Sequence, residues 1–127
     1  MTNALTALAE RVEAASGPSR ELDAEVGRAL SVAPKIVPVY KRGHYTGGDP
    51  VKLRDKEEWP RFTASIDAAL TLVPNGWPKR LSEIRFGMWR VEMWQGDKSF
   101  KSPPDIDQVA ASWPLAVCAA ALRTRAA

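Results

Sequence analysis

The sequence predicts an α+β fold, a small antiparallel sheet flanked by helices, and three observations carry that prediction. Apolar residues recur at helical spacing in four segments that have recognisable caps and stops. From Leu81 to Trp94 the apolar period drops to two, the mark of a half-buried strand. The chain has 127 residues, 45% of them apolar, which suits one domain with one ordinary core.

The first helix is expected at about 3–16, with Leu5, Leu8, Val12 and Ala15 on one face, Thr2 or Asn3 as cap, and Ser16-Gly17-Pro18 as stop. The second is expected at about 19–31. Ser19 caps it, Glu21 and Asp23 suit the positive end of its dipole, and Leu22, Val26, Ala29 and Leu30 form its stripe. Pro34 closes it. A third helix is expected at 63–73, capped by Thr63, lined by Ile66, Ala69, Leu70 and Val73, and ended by Pro74-Asn75-Gly76. The fourth, at 113–125, follows Ser112 and has Pro114 in its first turn. Leu115 to Leu122 is apolar on nearly every side, so this helix should be buried all round.

The sheet is expected mainly from 36–40 and 81–101. Pro38 lacks a donor, which confines the first segment to an edge. Ile84, Phe86 and Met88 have one parity and Trp89, Val91 and Met93 the other, so a bulge or turn must fall at Gly87-Met88. Either one bent strand or two paired strands would satisfy this. Lys41 to Trp59, with its Gly43–Pro50 turn chemistry, reads as a long exposed loop that leaves room for a short hairpin. Gln95-Gly96-Asp97 reads as a turn, with a short strand beginning near Phe100.

Three segments carry a resemblance. They are Gly17-Pro18-Ser19-Arg20-Glu21-Leu22-Asp23-Ala24-Glu25, Phe62 to Pro74 followed by Gly76-Trp77, and Pro114 to Arg123. As a set they resemble the phage α–β–α sandwich family, found in phages and prophages. The resemblance implies helices packed on a small sheet and an origin in a mobile element. It implies no activity, ligand or functional residue, and it leaves out Lys35–Arg61 and Leu81–Lys101.

Charge is spread unevenly around a net of +3. Up to Pro34, three bases face five acids; from Lys35 to Arg61, seven bases face four acids; from Lys79 to Lys101, six face three. The middle of the chain should therefore attract anions, although mixed signs argue against a strong nucleic-acid stripe. A single cysteine, Cys118, excludes an internal disulfide. No apolar run is long enough for a membrane span, and MTNALTALAE lacks the regions of a signal peptide, so the expected location is the cytoplasm of a bacterial host.

Catalytic and metal chemistry find little in the residues. One histidine and one cysteine make no His/Cys metal cluster, and the acid pairs Glu57-Glu58 and Asp105-x-Asp107 read as solvated loop residues. No cofactor is expected, since Gly47-Gly48 lacks the rest of a phosphate-binding fingerprint. His44 is the lone neutral-pH base and reads as an exposed loop histidine.

Binding has more support. Bases stand beside tryptophans in Trp77-Pro78-Lys79-Arg80 and Trp89-Arg90, a pairing through which nucleotides and single strands are held. The candidate ligand-binding residues are Tyr40, Arg42, His44, Tyr45, Trp77, Arg80, Trp89, Arg90 and Trp94. Trp77, Trp89 and Trp113 read as core-filling, and Trp59 and Trp94 as partly exposed. The leading expectation is a non-enzymatic phage accessory protein that binds an anionic, nucleotide-like ligand, with sequestration of a host defence signal as one role. The alternatives are a nucleic-acid-binding accessory protein and an inhibitor docking on a host protein. An edge strand near Ile36 would also support a homo-oligomer.

Overall fold

The computed structural model describes residues 4–41, 50–85, 87–96 and 101–126. It is an α+β fold with helices α1 (Ala4–Ala14), α2 (Arg20–Ala29), α3 (Ile66–Leu70) and α4 (Trp113–Ala126). The strands are β1 (Lys35–Lys41), β2 (Val51–Glu58), β3 (Lys79–Arg85), β4 (Met88–Met93) and β5 (Ile106–Ala110). They form two separate antiparallel sheets, a β1–β2 ribbon and a three-stranded sheet in the order β3-β4-β5. The single sheet expected from the sequence is thus divided. Its two apolar stretches never pair with each other; each finds a nearer partner in sequence.

Helix α4 is the centre of the molecule. Every residue from Leu115 to Leu122 is buried, as its all-round apolar character demands. It lies on the face of the sheet that carries Val91, Met93, Ile106 and Ala110, all buried in the same core. Leu8 and Val12 of α1, Leu22 and Val26 of α2, Leu30 just past its end, and Phe62, Ala69 and Leu72 join that core. Ala29, expected in the stripe of α2, is exposed. Arg123 joins three elements, donating to Glu13 of α1 at 3.1 Å and to Gln108 of β5 at 2.9 Å.

The parity change resolves as two paired strands. β3 and β4 form a hairpin with Gly87 at φ 78°, a backbone region that glycine enters without a Cβ penalty. Val51–Glu58, expected as loop, is instead a full strand paired along β1, with a bulge near Val39 and Tyr40. Its signal was hidden because all eight residues are exposed, so no apolar alternation marks a buried side. β5 was missed because five residues with one acid and one amide carry too short a pattern. The expected turn at Gly96 is supported by a glycine φ of 70°, whereas Asp97 and Phe100 lie outside the described residues.

The third helix is shorter than expected, and its cap differs. α3 spans Ile66–Leu70, and Ser65, not Thr63, accepts from the Ala68 N–H at 3.3 Å. Thr63 is drawn away by a buried carboxylate. Its N–H donates to Asp23 Oδ1 at 2.8 Å, its hydroxyl donates to the same oxygen at 2.7 Å, and Ser19 N–H donates to that hydroxyl at 2.9 Å. Ser19 caps α2 as expected, accepting from Leu22 N–H at 3.2 Å.

Candidate functional site

On the Trp/Arg-rich sheet, expected to hold a ligand, Arg80 and Arg90 are engaged with carboxylates of the sheet itself. Arg80, Glu92 and Asp107 stand side by side on adjacent strands, on the face away from α4. Arg80 donates to Glu92 through Nε and Nη2 at 3.1 and 2.9 Å. Arg90 makes a two-pronged bond to Asp107 at 2.8 and 2.6 Å and reaches the second Glu92 oxygen at 3.8 Å. Asp107 raises the Arg90 pKa by hydrogen bonding and by charge. The result is a continuous chain Arg80–Glu92–Arg90–Asp107.

The tryptophans are similarly occupied. Trp94 is fully buried, donates from Nε1 to Ser102 O at 2.8 Å, and has the Arg80 guanidinium 5.5 Å from its ring centre. The expectation that Trp94 and Trp59 are partly exposed is overturned, since Trp59 is buried too. Trp89 meets Trp113 edge-on at 4.5 Å, and Trp77 packs half-buried against the core. Of the candidates named from sequence, Arg80, Trp89, Arg90 and Trp94 thus gather on one sheet, while Tyr40 stands apart on β1. Arg42, His44 and Tyr45 lie outside the described residues.

A second site forms where the β1–β2 ribbon meets the body. The ribbon stands on Trp59, whose ring packs on Gly27 of α2 with the Arg28 guanidinium 5.4 Å from its centre. A Cβ at position 27 would sit inside the van der Waals envelope of that ring, so glycine is required there. Arg20 ties the same foot down, donating to Trp59 O at 2.7 Å and to Asp23 at 2.8 Å. Arg28 faces Glu57 at 3.7 Å.

Beside this foot lies a groove of about 630 Å³, lined by Arg20, Val37 to Tyr40, Lys56 to Trp59, and Arg61. Lys56 and Arg61 have no ionic partner among the described residues, and Tyr40 is 55% exposed. Glu57 and Glu58 also line the groove and limit its positive charge. Lys56 and Arg61 were not named from sequence. The adjacency Trp59-Pro60-Arg61 was a signal for Arg61, but with Val51–Trp59 read as loop nothing placed Lys56 opposite Val37.

The other recesses hold less chemistry. One of about 550 Å³ between α1 and α2 is mainly apolar, and one of about 450 Å³ beside β5 is lined by the already bonded Asp107, Gln108 and Arg123. Among the described residues no three metal-ligating side chains gather. Cys118 is buried and donates to Phe62 O at 3.1 Å; burial, then the charge of Asp23, pushes its thiol pKa well up, which leaves it a poor nucleophile. No described helix is long and apolar enough to cross a membrane. No family model matches the chain, and neither a curated protein nor a solved structure is found to match it.

Proposed function

We propose that the protein is a non-enzymatic binding protein that takes an anionic, nucleotide-like ligand in the groove at the foot of the β1–β2 ribbon. The observation that carries this reading is the pair Lys56 and Arg61, both without ionic partners among the described residues, beside the exposed Tyr40 ring. Phosphate would meet the two cations, and a base would lie against the phenol ring. Arg20 also lines the groove, with its charge already paired to Asp23 and a further bond to Trp59 O. An accessory role such as sequestering a host nucleotide signal would suit a chain that resembles the phage α–β–α sandwich family.

Thermal shift and calorimetry against linear and cyclic nucleotides test the reading. Stabilisation should appear with wild type and fall at least tenfold in affinity for K56A/R61A, about 1.4 kcal/mol or more. No stabilisation of wild type at millimolar nucleotide would end it.

A second reading, nucleic-acid binding, is favoured by the end of the ribbon away from Trp59. There Lys41 and Arg54 accompany the exposed Val51 and Leu53, while Lys52 is held by Asp55 at 2.9 Å. Fluorescence anisotropy with single-stranded and duplex DNA distinguishes it, because phosphate contacts make affinity fall steeply with salt.

A further inference from the structure

The two sheets present four strand edges, and three of them carry a visible obstacle to further pairing. On β1 the obstacle is Pro38, which has no N–H to offer. On β5 the Gln108 amide already occupies the carbonyl of Asp107 at 2.9 Å. On β2 it is charge order. Hydrogen-bonded and non-bonded pairs alternate along an antiparallel ladder, so a two-fold axis must set some residue opposite its own copy. For Val51–Glu58 every such register that pairs three or more residues brings like charges together: Lys52 with Lys52 or Arg54, Arg54 with itself, Arg54 with Lys56, Lys56 with itself, or Glu57 with itself. That edge is guarded against its own kind.

β3 has no such obstacle. Trp94 N–H donates to Pro78 O at 2.9 Å, which makes 78 and 94 a hydrogen-bonded pair and sets the alternation along β3. Arg80 and Ser82 then turn their backbone groups toward β4, and Lys79, Leu81 and Glu83 turn theirs outward. Among the described residues nothing bonds to those outward groups, and neither Lys79 nor Glu83 has an ionic partner.

We propose that β3 pairs antiparallel with β3 of a second copy of this chain, joining two three-stranded sheets into one of six strands. The axis passes between Leu81 and its copy. The outward N–H and C=O groups of Lys79, Leu81 and Glu83 are all satisfied in this register. Lys79 falls directly opposite the copy's Glu83, twice over, and Arg80 opposite Ser82. The neighbouring registers are worse: centring on Arg80 or Glu83 sets like charges face to face, and centring on Ser82 brings Lys79 against Arg85. Leu81, half-buried on the side that α4 covers, meets its own copy there and extends the core across the axis. Exposed Ile84 gains a neighbour in Pro78 of the copy.

Sedimentation equilibrium and light scattering of the full chain test the assignment, with charge-swap variants. Wild type should weigh twice the 13.9 kDa of one chain. Lys79→Glu and Glu83→Lys should each be monomers, and the double variant K79E/E83K should dimerise again because the swap restores opposite charges. Circular dichroism shows that each variant is folded. A wild type that stays monomeric up to about 1 mM, where even weak association registers, overturns the proposal. So does a dimer that survives both single swaps, since it must form elsewhere.

Discussion

Asp23 lies only 1% exposed, and three donors account for its two oxygens: the N–H and hydroxyl of Thr63 on one, Arg20 on the other. Removing an acceptor from buried donors costs the desolvation of those donors, so Asp23→Ala should lower unfolding free energy by about 1–3 kcal/mol in urea titrations. Thr63→Val should cost a similar amount although its shape is conserved, because Ser19 N–H loses its acceptor. Gly27 poses a contest of magnitudes. Alanine would gain about 1 kcal/mol in helix propensity, but its Cβ meets the Trp59 ring, and overpacking of this kind costs about 1–3 kcal/mol. Gly27→Ala should therefore be net destabilising. Partial recovery in a G27A/W59L double variant would identify the ring as the cause.

Cys118 gives a pH prediction whose sign can be worked out. Burial raises the thiol pKa in the folded chain above its ordinary value of 9.0. Above pH 9 the unfolded thiol loses its proton while the folded one keeps it, so the folded state binds more protons there and stability falls as pH rises. The expected slope is about 1.4 kcal/mol per pH unit above 9. Urea unfolding at pH 8 and pH 10, with Cys118→Ala as the control that removes this slope, measures it.

The elements differ in how much support each receives. α4 and β4 are embedded in the core, whereas β1 and β2 pair with each other and touch the body mainly through Trp59 and its neighbours. A two-stranded ribbon alone is marginally stable in water. Amides of β1 and β2 should therefore exchange with deuterium faster than those of β4, as hydrogen-exchange mass spectrometry can show. Nucleotide bound at the foot of the ribbon should slow that exchange. The same contrast explains which elements could be read in advance. α4 announced itself through an apolar run and β4 through the alternation of Val91 and Met93, because burial leaves a pattern in the residues that are buried; Ile84 of β3 shared the two-residue period although it is exposed. β2 leaves none, since both its faces are exposed.

In the molecule as a whole, the two basic stretches have different fates. In the stretch 79–101, Arg80 and Arg90 are used internally, in the Arg80–Glu92–Arg90–Asp107 chain, and Trp94 is sealed beneath Arg80. Residues 35–61 keep Lys56 and Arg61 turned into a groove. Sequence ranked these stretches alike because each has an excess of bases and places aromatic residues near them. It cannot show that Glu92 and Asp107 stand across neighbouring strands from Arg80 and Arg90.

Local chemistry was sufficient for the α+β class, for the Ser19 cap, for the confinement of Pro38 to an edge and for a bulge or turn at Gly87-Met88. Each depends on residues close together in the chain, where periodicity and backbone preference act directly. Tertiary structure alone decided that the strands divide into two sheets, that Thr63 leaves its helix for Asp23, and that Lys56, Arg61 and Tyr40 line one groove. Those outcomes rest on contacts between residues far apart in the chain, and such contacts leave no period to read.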